Sequence, residues 1–269
     1  MTRQAQGRGI PSLRTWSRAE LLLAGVLLVL AAGAWLLTSG LAVPDMRMGI
    51  LTGMPPTEPR TRSLPIAFVL FLITWVVMMA AMMLPSIAPF TVGVGRLLGT
   101  RAGPGALTAL TVGYLLVWSA SGVFGYSVVR GFEALATGGS AIAVRAGAVV
   151  LLLAGAYQFT PFKQWCLVRC RSPLALVIRY ADLASRSRRG ALRVGLYHGG
   201  YCLGCCWALM AVLLAAGAMS LVWMAVVAAA IAVEKVLPRG EMFGYAVGVL
   251  LVAPGIALLV APRLVTVVA

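Results

Sequence analysis

Leu64-Pro65-Ile66-Ala67-Phe68-Val69-Leu70-Phe71-Leu72-Ile73-Thr74-Trp75-Val76-Val77-Met78-Met79-Ala80-Ala81-Met82-Met83-Leu84 runs for 21 residues without a charge. About 20 consecutive apolar residues suffice to cross the hydrocarbon core of a bilayer as a helix. Lipid offers no partner to backbone N–H and C=O groups, so only helices and closed barrels satisfy them internally. A barrel strand alternates apolar with polar residues. This run is continuous, so the helix is the consistent reading.

Similar runs lie on both sides of it, at about residues 19–43, 105–129, 139–160, 194–216, 219–233 and 243–260. With 61% of the 269 residues hydrophobic and 11% charged, the balance is that of a membrane protein and not of a soluble globule. The expected fold is all-α, a polytopic transmembrane helical bundle of about seven spans. Six spans plus a re-entrant segment is the alternative, because the run at 219–233 is short. The first run exceeds the 7–15 residues of a signal-peptide core, so it reads as an uncleaved span. Residues 1–18 then form a basic N-terminal segment, and 19–269 a single transmembrane domain with a basic insert at 162–193. The middle of that insert suits an interfacial amphipathic helix, and Pro85 and Pro89 are expected to close or kink the second span.

The net charge of +15 does not point to nucleic acid, because the arginines sit at the ends of apolar runs and are not interleaved with aromatics on one soluble face. With seven spans and a cytoplasmic N-terminus, sixteen Lys/Arg fall on the cytoplasmic side and five on the other. That excess favours N-in, C-out by the positive-inside rule. No internal repeat argues for inverted halves.

Five cysteines, an odd number in or beside apolar segments, do not resemble a disulfide framework. Three of them stand with the only histidine in Tyr197-His198-Gly199-Gly200-Tyr201-Cys202-Leu203-Gly204-Cys205-Cys206-Trp207-Ala208-Leu209-Met210. Helical spacing stacks His198, Cys202 and Cys205 or Cys206 on one face, an imidazole beside two or three thiols. Gly195, Gly199, Gly200 and Gly204 leave room for a neighbouring helix. Met78, Met79, Met82 and Met83 can turn two or three thioethers to one point, with Trp75 one turn earlier. Such thioethers are either packing residues or soft ligands that select copper(I). Cys166 and Cys170 repeat the i,i+4 spacing, and Lys163, Arg169 and Arg171 beside them favour thiolate. Glu234 and Lys235 at the end of a span are either a surface ion pair or supports for the site, with Glu234 orienting His198. On the N-in topology these motifs converge near the cytoplasmic face.

Trp75…Met78-Met79-Ala80-Ala81-Met82-Met83-x-Pro85, Cys166-Leu167-x-x-Cys170-Arg171-x-Pro173, Gly204-Cys205-Cys206-Trp207-x-Leu209-Met210 and Glu234-Lys235, in this order, resemble the signature of a bacterial family of predicted metal-binding integral membrane proteins. The resemblance covers about residues 65–240. It implies a multi-span protein of the bacterial cytoplasmic membrane that binds metal, and supplies no reaction.

Thiols, thioethers and one histidine form the set copper(I) prefers, whereas zinc suits the cysteines and histidine but not the methionines. Soft-metal handling is therefore the leading expectation, with a metal donor or acceptor protein, or a membrane enzyme, as partner. A thiol–disulfide oxidoreductase using Cys166/Cys170 and Cys202/Cys205 is a second reading, and an assembly subunit whose motifs only pack helices a third. Neither a phosphate-binding loop nor a nucleophilic triad is present, which places binding ahead of catalysis.

Overall fold

A computed structural model describes residues 18–41, 64–98, 104–136, 140–171, 187–217 and 220–260. Among them are eight helices and no strand: α1 (Arg18–Leu41), α2 (Leu64–Leu98), α3 (Pro104–Ala136), α4 (Ser140–Gln158), α5 (Pro161–Arg171), α6 (Arg188–Gly217), α7 (Leu221–Val236) and α8 (Gly240–Val260). Five are long and apolar enough to cross a bilayer, or six if α4 and α5, bent by 65° at the Gln158–Pro161 break, are taken as one span. The all-helical expectation holds at that level. The run expected at 219–233 forms α7, whose 16 residues rise about 24 Å, less than the hydrocarbon thickness of about 30 Å.

Local chemistry explains the boundaries. Ser187 Oγ accepts from Gly190 N at 3.0 Å and caps α6, which therefore begins at Arg188 and not at Val194, the start of the uncharged run. Thr160 Oγ accepts from Lys163 N at 3.3 Å, and Pro161 follows at the first helical position, where its missing N–H costs nothing. Thus the start of the polar insert is itself a helix; its expected amphipathic middle, residues 172–186, lies outside the described residues, as do the basic segment 1–17 and the loop 42–63. Ser220 caps α7 by accepting from Trp223 N.

Of the two outcomes expected at the prolines of α2, closure is overturned. Pro85 and Pro89 do not close it: the helix continues through both to Leu98. The cost is local, since Pro85 and Pro89 offer no N–H to the carbonyls of Ala81 and Pro85.

The bundle centres on α6. It runs parallel to α3, with Gly195 against Leu110 and Tyr114 and Gly113 against Leu192 and Leu196, so closely that a Cβ at either glycine would overlap the facing carbonyl. Gly199 meets Val117 and Tyr114. Antiparallel to α3 lies α2, through the Trp75 indole N–H donated to Trp118 O at 2.9 Å and the edge contacts of Phe68 and Phe71 with Tyr126. Its counterpart on the other side is the α4–α8 pair, also antiparallel: Gly155 faces Val252 and Gly248, while Gly255 faces Leu152 and Ala148. Helices that cannot be driven together by water gain from such close backbone approach. One continuous core then joins α1, α2, α3, α5, α6 and α7.

Candidate functional site

Halfway along α6 the cysteines meet three other helices. Cys202 is fully buried. Its sulfur accepts a hydrogen bond of 3.0 Å from Lys235 Nζ at the end of α7 and shares one of 3.0 Å with the Tyr114 hydroxyl of α3. Cys205 and Cys206, also buried, donate their S–H groups to the Cys202 carbonyl at 3.1 and 2.8 Å. From α5, Cys170 lies near enough to Cys202 and Cys205 to interact with both electrostatically. All five cysteines are free thiols. Cys166 is on the same helix as Cys170 but faces elsewhere: its sulfur fills the space over Gly204, 2.6 Å from where a Cβ there would be.

His198 is one turn before Cys202 and 1% exposed. Its ring stacks on Phe90 at 4.0 Å with planes 5° apart, and Tyr114 tilts against it at 5.7 Å. Nδ1 is buried and has no hydrogen-bond partner, an arrangement that costs about 1–3 kcal/mol in desolvation. The expected carboxylate support is absent: Glu234 does not face His198. Its Oε1 accepts from Lys163 Nζ at 2.8 Å, with both side chains almost wholly enclosed, and Lys163 also donates to Gln158 Oε1.

The adjacent acid and base of α7 therefore part company. Glu234 closes a buried pair with α5, while Lys235 turns to α2 and α6, donating to Ser86 Oγ at 2.6 Å as well as to Cys202. Of the three basic residues expected to act on the α5 thiols, Lys163 is committed to Glu234, and Arg171 donates to the carbonyls of Leu237 and Pro238. Arg169 lies 3.6 Å over the Trp165 ring. The ammonium that touches a thiol is that of Lys235.

On α2, Phe90 opposite His198 and Ser86 opposite Cys202 set an antiparallel register that places Met82 and Met83 at the height of Cys205 and Cys206. Met78 and Met79 are a turn further on, at the height of Leu209 and Met210. All four are buried in the common core. Trp75 is spent on α3, where its ring covers Gly122 and Gly125. Met82 and Cys170 share the wall of a cavity of about 440 Å³ with Ser86, Phe90, Lys235 and Arg171.

Four thiols, an imidazole and an ammonium thus converge, but the donors are not closed around one point. Among the described residues, no group of three or more His, Cys, Asp or Glu side chains is arranged to hold a metal ion. The thiols are turned instead to Lys235, Tyr114 and the backbone. Sequence reasoning missed Tyr114, Ser86 and Gln158, none of which carries a local signal, since each is defined only by what the fold sets opposite it.

A family model described as PpoB2, copper chaperone, matches residues 72–258, which includes every residue of this cluster. No curated protein and no solved structure matches the chain.

Proposed function

We propose, from the premise that the chain belongs to the PpoB2 copper chaperone family, that the cluster around Cys202 is where copper(I) is held for delivery to a membrane enzyme. Copper handling follows from membership; the ligands, the oxidation state and the recipient are our reading. The observation that carries it is the orphaned, buried Nδ1 of His198 beside a group of free thiols gathered from two helices. A soft cation would satisfy that nitrogen, and Cys202, Cys205, Cys206 and Cys170 supply the sulfur. Because Cys205 and Cys206 donate only to a carbonyl of their own helix, a rotation of each side chain suffices to turn the sulfurs inward. A two-thiolate copper(I) centre is an anion, and Lys235 supplies the compensating charge without which a buried centre of this kind would be costly.

Orientation belongs to the same proposal. The 35 residues of α2 and 30 of α6 rise about 52 and 45 Å, well beyond a hydrocarbon core of about 30 Å. By contrast the end of α7, through Lys235, meets α6 at Cys202, and α5 meets it at Gly204, through Cys166. Polar backbone and basic residues at that height fit the cytoplasmic boundary of the bilayer, with the N-terminus inside.

The test is copper content of anaerobically purified protein in nanodiscs. The wild type retains copper after desalting. Replacing Cys202, Cys205 and Cys206 together by serine abolishes retention. Unchanged copper in that variant refutes the site, and a Cys–Cys bond trapped in the resting protein would move the assignment to thiol–disulfide exchange.

A further inference from the structure

The holding cluster is sealed on most sides. Cys202, Cys205, Cys206 and His198 are all nine-tenths or more buried, enclosed by α2, α3, α5 and α7. Among the described residues, one approach to it is the cavity of about 440 Å³ between α1, α2, α5 and α7. Its walls are mostly alanine, proline and branched aliphatic residues, but its polar members are specific. Cys170 is the one cysteine on the wall, and it neighbours Cys202 and Cys205. Met82 faces the same space. Lys235 stands between the cavity and Cys202, held by Ser86, and Arg171 lies at the exposed end with no acidic residue on the wall. The walls also include Ala81, Pro85 and Pro89, the place where α2 leaves the carbonyls of Ala81 and Pro85 without helical donors.

Resting on the copper reading above, we propose that this cavity is the port through which copper(I) arrives as an anionic complex of a small thiol, with Cys170 as first protein ligand and Met82 as a passing thioether contact. Two observations fix the chemical class. The space is far larger than a bare ion needs and falls in the 300–1,000 Å³ range of small-molecule sites. Its only charged wall groups are cations, which favour an anion. The transfer balances as a ligand exchange. The Cys170 sulfur bonds to copper, one carrier thiolate leaves with the Cys170 proton as free thiol, and copper stays monovalent. Repetition at Cys202 releases the second carrier thiol and moves the ion behind Lys235, which keeps its bonds to Ser86 and to the Cys202 sulfur, now a copper-bound thiolate.

The test separates rate from capacity. Full-length protein in nanodiscs receives copper(I)–glutathione anaerobically, and loading is followed by desalting at timed intervals. Met82→Leu keeps the side-chain volume and removes the sulfur; Ala232→Phe fills the cavity. Both variants should reach the wild-type copper content, but load about tenfold more slowly or worse, a barrier raised by roughly 1.4 kcal/mol. Wild-type loading rates in both overturn the port. Failure of the wild type to retain copper at all would instead defeat the holding site, so the two readings fail separately. Should Ala232→Phe not fold, the order of alkylation decides: in the copper-free wild type, a small maleimide must modify Cys170 before Cys202, Cys205 and Cys206, and another order refutes the proposal. A second arm offers the same copper on a protein with a Cys-x-x-Cys loop. If only that source loads the chain, the carrier is a docking protein and the small-thiol assignment is wrong.

Discussion

Lys163 and Glu234 make the most direct energetic test of how this site is held. Their charged atoms are 2.8 Å apart and the side chains are 0% and 2% exposed. At an effective dielectric of 20, the attraction at that distance is about 6 kcal/mol. Desolvating both ions consumes much of this, so the pair's net worth is small, whereas loss of one partner strands the other. Lys163→Met alone and Glu234→Leu alone should each cost about 3–5 kcal/mol. The double variant should cost only about 1–3 kcal/mol, the penalty for leaving Gln158 Oε1, which now accepts from Lys163, without a donor. Equilibrium unfolding in mixed micelles, read as a double-mutant cycle, gives all three values. The reasoning is refuted if either single variant costs under about 1 kcal/mol, or if the double variant costs the sum of the singles. The double variant should also retain copper, since neither side chain touches a sulfur.

Other outcomes follow from the same geometry. Lys235→Met removes the only ammonium on Cys202 and should weaken copper retention about tenfold, roughly the 1.4 kcal/mol expected of a charge-assisted contact, as read by competition with a chromophoric chelator. His198→Phe keeps the stack on Phe90 and removes the orphaned nitrogen; it should stabilise the copper-free protein by about 1 kcal/mol while lowering copper affinity, a crossing of signs that thermal unfolding with and without copper detects. Gly195→Ala drives a methyl into the Leu110 carbonyl and should cost about 1–3 kcal/mol by overpacking, with the loss measured as a lower unfolding midpoint. Gly200→Ala meets nothing within 4 Å and should be silent or slightly stabilising.

The apolar run 64–84 made the helical class legible because the bilayer leaves so few alternatives, and the i,i+4 stripe of His198 and Cys202 was legible because helical periodicity fixes which side chains share a face. Gly195 and Gly204 also read correctly as places of close approach, against Leu110 and Cys166. What failed depended on partners far away in the chain. The adjacency of Glu234 and Lys235 suggested one pair, yet consecutive residues on a helix point about 100° apart, so each found its own neighbour. Cys166 and Cys170 read as a matched pair, but only Cys170 turns to Cys202. The prolines of α2 read as a stop or a kink, and the stop does not occur because in a bundle tertiary packing on both sides of Pro85 and Pro89 carries the helix through. Ser187 was a readable cap that hydropathy concealed, because the turn it starts is basic.

These departures have one physical cause. A spanning bundle need not interrupt its helices, and interruption in lipid is tolerated only where the freed backbone is covered by protein or faces a cavity. Here two interruptions, the α4–α5 break and the end of α7, occur at the height of Cys202. The two are tied and covered by side chains: Lys163 of α5 reaches Glu234 of α7, Arg171 of α5 caps the Leu237 and Pro238 carbonyls beyond α7, and Thr160 and Gln164 cap the Tyr157 and Gln158 carbonyls at the break. Continuous helices of the same composition could not place Lys235 at the middle of α6 while pointing Cys170 at the same sulfur. The short α7 and the bent α5 are therefore what bring cation and thiols together, and the buried Lys163–Glu234 pair is the clamp between them. Severing the clamp at Glu234 alone should loosen Lys235 from Cys202 and slow copper loading together with stability; severing it on both sides should restore loading before it restores full stability. If loading instead followed stability in every variant, the clamp would be a packing feature with no bearing on the thiols.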